Sequence, residues 1–315
     1  MSSSNKTNTA MTEIVCPFCV DPDPERLISN RDLPEDNVNV FRCRKCDLVF
    51  LAAENNLKQF DSEEFEYWNN EDQKKIYLDQ QIQETFENEF KSHLTTLEKY
   101  FPQKGSILDV GCGVGHFLAQ AKKRGWTVQG LDIAPAAKSA AKEIYGLHVE
   151  VGFLNSAPFV SGSFDVITLW DVIEHMRQPV ENLNHAHQLL KEGGILVLKT
   201  PNERGLFKQT ALALYRIFGD RAAFLLKYVY YLPHYFSYSE KSLNYLLKQC
   251  GFEMIRYELD ETPNEFAEEK INVHYQKDPK RRFIISMLPF ANMMSRLFRR
   301  GNKMIVYAKK VTHAG

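Results

Sequence analysis

The chain has 315 residues, 44% hydrophobic and 25% charged, a profile that fits about two globular domains and excludes wholesale disorder and collagen-like repeats. With 39 Lys and Arg against 40 Asp and Glu, its net charge of −1 argues against a uniformly basic nucleic-acid binder, and no nucleic-acid partner is expected. No charge-free apolar stretch reaches the ~18 residues of a membrane span, and the opening MSSSNKTNTAMTE has no apolar signal core, so a cytoplasmic location is expected.

In chain order, residues 1–12 read as a disordered tail and 13–52 as a small, turn-rich unit holding four of the six cysteines. Residues 53–101 read as a lid segment and a long helix. The lid is acidic but carries Phe60, Phe65, Tyr67 and Trp68, whose aromatic faces would either suit a cationic ligand or serve as ordinary core. Over 74–101, Leu78, Ile82, Phe86, Phe90, Leu94, Leu97 and Phe101 recur at spacings of four and three, which predicts one amphipathic helix ended by Pro102.

From 105 the pattern changes to strands at 106–110, 127–132, 148–151, 164–170 and 194–200, separated by helices at 114–124, 136–145 and 179–190. That alternation predicts an α/β domain with a parallel sheet covered on both faces. The domain spans 102–312. It is interrupted by an aromatic, partly helical insertion at about 203–236 and by a second at about 260–302. A helix at 239–250 closes at Gly251, and strands follow at 252–259 and 304–309. The second insertion reads as a polar loop followed by a basic amphipathic helix.

Charge is concentrated near that helix: residues 277–310 hold ten Lys and Arg against one acid, Asp278. The run RRFIISMLPFANMMSRLFRR, residues 281–300, has two readings. Its apolar side packs on the 206–232 insertion, or it lies on an anionic membrane or contacts a lipid-linked or phosphorylated substrate. The packing reading is taken first, and Pro289 is expected to kink the helix.

The run ILDVGCGVGHFL, residues 107–118, places Gly111, Gly113 and Gly115 at a strand-to-helix turn, where the backbone can bend sharply and approach a ligand, or where the glycines serve packing alone. Asp132 ends the next strand, where an acid can accept hydrogen bonds from ribose hydroxyls. The spacing is G-x-G-x-G rather than the dinucleotide G-x-G-x-x-G, and His116 occupies the third-glycine position. Asp109, two residues before the loop, disfavours a pyrophosphate and suits a cation or amine.

These residues resemble class I S-adenosylmethionine-dependent methyltransferases. LDVGCGVGHF (108–117) resembles their first motif, VQGLDIAP (128–135) the second-strand motif, and PFVSGSFDVITLWDVIEH (158–175) the fourth-strand region. LLKEGGILVLKTP (189–201) resembles the fifth-strand region, and HYFSYSEKSLNYLLKQCGF (234–252) the helix and strand beyond it. The resemblance covers roughly residues 75–310. It implies a Rossmann-like, seven-stranded mixed sheet with a reversed last strand, and S-adenosyl-L-methionine as cofactor. It also implies that Gly111 and Gly113 pass beneath that cofactor, with Gly115 in the same binding loop, that Asp109 faces its amino-acid end, that Asp132 binds its ribose and that Ile133 packs on the adenine. Trp170 belongs to the same set. Many relatives carry an Asp after the third-strand glycine. Here Phe153 stands there, and stacking by Phe153, substitution by Asn155 and backbone contacts all stay open.

A sulfonium methyl is already electrophilic, so the protein must align an acceptor and supply a base, most often His. His234, after the 203–236 insertion, is the first candidate and His175, after the fourth strand, the second; both also have structural readings, as packing or capping residues.

CPFC (Cys16, Cys19) and CRKC (Cys43, Cys46) are two C-x-x-C knuckles that together complete a tetrahedral zinc shell with no position left for catalytic water. Reduced cysteines and an iron–sulfur centre are the other readings. The arrangement is similar to a methyltransferase subset with an N-terminal zinc-ribbon-like segment, acting in polysaccharide, sugar and natural-product pathways. The expected activity is methyl transfer to oxygen or carbon of a sugar, glycan-linked or natural-product substrate. The alternatives are a phenolic O-methyltransferase of quinone-type biosynthesis and an inactive zinc-ribbon adaptor. The sequence leaves oligomeric state open.

Overall fold

The computed structural model describes residues 14–33, 38–53, 80–231 and 234–311. The tail at 1–12, the aromatic lid segment and the stripe residues Leu78, Ile82 and Phe86 lie outside the described residues and side chains.

Three short strands come first: β1 (Glu25–Ile28), β2 (Val38–Arg42) and β3 (Val49–Ala53). Helix α1 (Gln80–Tyr100) follows and buries Phe90, Leu94 and Leu97, the expected stripe, against the sheet of the larger domain. That sheet is built from β4 (Ser106–Val110), β5 (Thr127–Asp132), β6 (Val149–Val151), β7 (Phe164–Trp170), β8 (Leu190–Pro201), β10 (Phe252–Asp260) and β11 (Lys303–Lys310). Its order is β10-β11-β8-β7-β4-β5-β6; β4 to β8 run parallel, and β11 is antiparallel to both β8 and β10. Apolar runs such as Phe164–Trp170 form its centre because a parallel sheet is covered on both faces. Helices α2 (His116–Lys123), α3 (Pro135–Tyr145), α4 (Pro179–Leu189) and α6 (Glu240–Gln249) accompany the strands, and Ser239 caps α6 through a reciprocal pair with Ser242.

Chain order reverses between β4 and β7, since β5 and β6 lie on one side and β7 and β8 on the other. Such a switch opens a crevice beyond the carboxyl ends of the two central strands.

Three boundaries differ from the sequence reading. Helix α2 starts at His116 rather than 114, because Gly111, Gly113 and Gly115 all stay at positive φ, outside the helical region. Strand β8 begins at Leu190, four residues early, because Leu190 already pairs with Phe164 of β7. The stretch expected to be a polar loop contains a helix, α7 (Asn264–His274), which buries Phe266. The 203–236 insertion supplies α5 (Leu206–Phe218), and the basic segment forms α8 (Arg281–Leu297), continuous through Pro289.

The first three strands do not stand apart from this domain. A two-residue strand, β9 (Phe236–Ser237), adds to β3 and completes a four-stranded antiparallel sheet in the order β1-β2-β3-β9. Phe18 packs against Phe236 with ring centroids 5.4 Å apart, and Arg42 and Tyr230 both bond the buried Glu203.

Candidate active site

The crevice at the switch point is a cavity of about 1010 Å³. One wall is the loop after β4. Gly111 has φ +68°, and a Cβ there would meet Val172 Cγ2 at 2.5 Å, so neither the backbone nor the space tolerates a side chain. Gly113 donates its N–H to Asp132 Oδ2 at 2.8 Å, and a Cβ at Gly113 would meet nothing within 4 Å. Asp132 also accepts from the Ala134 N–H at 2.8 Å, which fixes its carboxylate at the mouth of the loop. Asp109 is buried beneath it and accepts from the Thr168 hydroxyl at 2.6 Å. Burial pushes Asp109 up to about 8, opposed by the Thr168 hydrogen bond and reinforced by Asp132. Burial also raises Asp132, against the backbone N–H groups it accepts.

Ile133, Phe153 and Trp170 line the same cavity. Phe153 is two-thirds exposed, whereas the Asn155 amide is engaged by Glu181 at 3.0 Å. Trp170 is wedged among Phe90, His93 and Phe117, and its indole Nε1 is buried with no hydrogen-bond partner among the described residues. Gly115 does not line the cavity. A Cβ there would meet Leu147 Cδ1 at 2.7 Å, which makes it a packing position under α2.

The opposite end brings His175 and His234 together, edge to face with ring centroids 4.7 Å apart, and Tyr231 stacks on His234 at 4.4 Å. Burial lowers His234 well below the usual histidine range, and His175, Lys303, Lys208 and Lys270 lower it further. Glu174 is buried behind them and accepts from the Thr200 hydroxyl at 2.9 Å; burial and then Asp171 push it up to about 7. Donor atoms of Glu174, His175 and His234 lie within 4.8 Å of one another. Lys303, Lys208 and Lys270 thus disfavour a charge on His234, which holds its imidazole neutral.

Sequence reasoning missed the cationic side of the cavity. Lys199 pairs with Glu89 at 2.5 Å, Lys303 with Asp171, and Lys270 lies over the Phe266 ring at 4.6 Å. Burial would raise Asp171, but Lys303, Lys199 and Lys270 bring it down to about 2. Lys270 and Phe266 were hidden in the segment read as polar; Pro263 before Asn264 and Glu265, then Phe266 and Lys270 one turn apart, was the available helix signal.

The four cysteines gather at one point, with Cys16 Sγ 3.6 Å from Cys46 Sγ and Cys19 Sγ 3.3 Å from Cys43 Sγ. All four Sγ atoms lie within 4.8 Å of one another and none forms a disulfide. A tetrahedron with Zn–S bonds of about 2.3 Å needs sulfurs ~3.8 Å apart, so the donor set fits that ion.

The strand order and the loop are those of the class I S-adenosylmethionine-dependent methyltransferase fold. The chain belongs to the methyltransferase-domain family, whose profile matches residues 82–257, more than half of the sequence. It is 33% identical over 103 residues to the ubiquinone biosynthesis O-methyltransferase of Pseudomonas paraeruginosa (strain DSM 24068 / PA7), covering 31% of this chain and 44% of that protein. It is 32% identical over 136 residues to the mitochondrial ubiquinone biosynthesis O-methyltransferase of Saccharomyces cerevisiae, covering 41% and 43%. The chain thus spans less than half the length of the curated relatives it matches. Among solved structures it is similar to a Bacillus halodurans C-125 protein assigned as a methyltransferase (19% identity, TM-score 0.52, 70% of this chain and 100% of that one). It is also similar to a Galdieria sulphuraria protein assigned as a sarcosine dimethylglycine methyltransferase (17% identity, TM-score 0.52, 81% and 99%). At these identities the likeness concerns the fold.

Proposed function

We propose that the chain methylates a hydroxyl oxygen or an acidic carbon of a small-molecule or glycan-linked acceptor bound between the glycine loop and the His175–His234 corner. The observation that carries this reading is the placement of a half-buried imidazole, His234, against His175 in the same cavity as the loop carrying Gly111 and Gly113.

Asp132 holds the ribose hydroxyls, Asp109 the amino-acid end, and Ile133 and Phe153 flank the adenine. Bound S-adenosylmethionine supplies an electrophilic methyl group. The protein's own work is then alignment and proton removal. His234 takes the acceptor proton on a ring nitrogen, and its ring is held edge-on by His175 and face-on by the tilted ring of Tyr231. Lys270 and Lys303 make the corner favourable for the developing oxyanion or carbanion. The cysteines Cys16, Cys19, Cys43 and Cys46 hold a structural Zn²⁺ away from the reacting atoms.

A phenolic acceptor is the second reading, favoured by the ubiquinone biosynthesis relatives. A screen of nucleotide sugars and catechols separates the two. With the acceptor found, His234→Ala should lower turnover by about 10²–10⁴-fold and leave S-adenosylhomocysteine affinity unchanged. Because the His234 pKa is depressed, the acid limb of kcat should fall below pH 6.5, the ordinary histidine value, and disappear in the variant. Full activity in His234→Ala would transfer the role of base to His175.

A further inference from the structure

Helix α8 buries one side and leaves a second apolar stripe outward. The residues it buries are Ile284, Asn292 and Ser295. Asn292 donates to the Thr262 carbonyl at 3.1 Å and to Asn264 Oδ1 at 2.8 Å, and Ser295 donates to the Arg300 carbonyl at 2.5 Å. Polar bonds thus hold the helix to its neighbours. In the outward stripe Phe283 is 59% exposed, Phe290 53%, Met293 57% and Leu297 71%, with Met287 among them. Their spacings of four and three place all five on one stripe. The helix does pack on the 206–232 insertion, as expected, but this exposed stripe lies outside that contact. Helix α5 does lie alongside, antiparallel: Leu206 at its start bonds the Arg300 carbonyl at 3.0 Å, and Phe224 beyond its end sits under Lys280 at 3.7 Å. The stripe itself stays uncovered by the described residues.

Arginines frame the stripe. Arg282, Arg296, Arg299 and Arg300 are exposed; Arg296 faces the charge of Glu261, and the other three form no ion pair with a described residue. An apolar stripe costs free energy in water, and unpaired guanidinium groups beside it repel one another. Both terms are relieved by a surface that is apolar beneath and anionic at its rim, such as a bilayer carrying acidic headgroups. A second copy docked through the same stripe would oppose these arginines to themselves. No described helix is long and apolar enough to cross a membrane, so the contact is one lying in the interface.

We infer that α8 docks the protein peripherally on anionic membranes, with Phe283, Met287, Phe290, Met293 and Leu297 entering the headgroup boundary and Arg282, Arg296, Arg299 and Arg300 pairing with phosphates. This face is separate from the residues assigned to methyl transfer, but α7, which packs on α8, carries the cavity-lining Phe266 and Lys270 on its other side. Docking therefore sets the acceptor end of the cavity one helix away from the bilayer.

The test is co-sedimentation of the full chain with phosphatidylcholine vesicles, with and without phosphatidylglycerol. The zinc-loaded protein should pellet with the anionic vesicles only, and less so as salt rises. Phe290→Glu with Leu297→Glu should abolish pelleting, and each arginine neutralised to glutamine should weaken it by about fivefold. All variants should keep wild-type thermal unfolding and S-adenosylhomocysteine affinity, since none touches the core or the cavity. No pelleting of the wild type, or equal pelleting of the Phe290→Glu/Leu297→Glu protein, overturns the inference. Concentration-dependent dimers by sedimentation velocity that vanish in that variant would also overturn it, assigning the stripe to a second copy.

Discussion

Asp109 and Asp132 sit at the ends of neighbouring strands yet are prepared differently. Asp132 is held by two backbone N–H groups, whereas Asp109 has one hydroxyl donor and almost complete burial. With its pKa near 8, Asp109 keeps its proton at neutral pH in the free chain. A ligand ammonium placed against it favours the carboxylate, so binding should drive that proton off. S-adenosylhomocysteine affinity should rise with pH up to about 8 and level beyond it. Below pH 8 the calorimetric enthalpy should vary with the ionisation enthalpy of the buffer, and should cease to do so in Asp109→Asn. A buffer-independent enthalpy in the wild type would place Asp109 away from the ligand's charge.

At the level of elements, α5 and β9 tie the four-cysteine unit to the acceptor end of the cavity. β9 begins two residues after His234, pairs with β3, and packs through Phe236 on Phe18 between the two cysteines of the first knuckle. The Leu51 N–H also bonds the Tyr235 carbonyl at 3.0 Å. Removing the metal with a chelator, or Cys43→Ser, should therefore loosen the segment carrying His234 while sparing the loop on the far side of the sheet. The expected outcome is a loss of kcat, with S-adenosylhomocysteine affinity retained and one zinc per chain lost in metal analysis. Loss of cofactor affinity in parallel would mean that the unit supports the whole fold rather than one end of the site.

The elements also mark what was legible beforehand. Strands buried on both faces announce themselves as apolar runs, and the glycine loop and Asp132 follow from spacing, because backbone geometry demands those residue types. β9 was invisible, since two residues carry no periodicity and their pairing with β3 depends on a distant partner. α7 was missed because its burial rests on Phe266 amid charged side chains that line a cavity rather than a core. The periodicity of α8 was plain, but periodicity does not say which face turns inward, and Asn292 and Ser295 found partners that the stripe did not.

For the molecule as a whole, one sheet with a chain reversal at its centre places a loop that suits S-adenosylmethionine opposite a pair of histidines, within one cavity of about 1010 Å³. A small N-terminal sheet braces one end of that cavity, and a basic helix with an apolar stripe outward stands beyond it. The methyl transfer proposed for this site rests on the loop and Asp132 holding the cofactor. The most direct test is calorimetric titration of the zinc-loaded full chain with S-adenosylhomocysteine, beside Asp132→Ala. One site per chain is expected in the wild type and at least a tenfold loss in the variant, a hydrogen-bonded carboxylate being worth roughly 1.5–3 kcal/mol. A folded wild type that binds nothing, or an Asp132→Ala protein that binds equally well, would contradict that assignment.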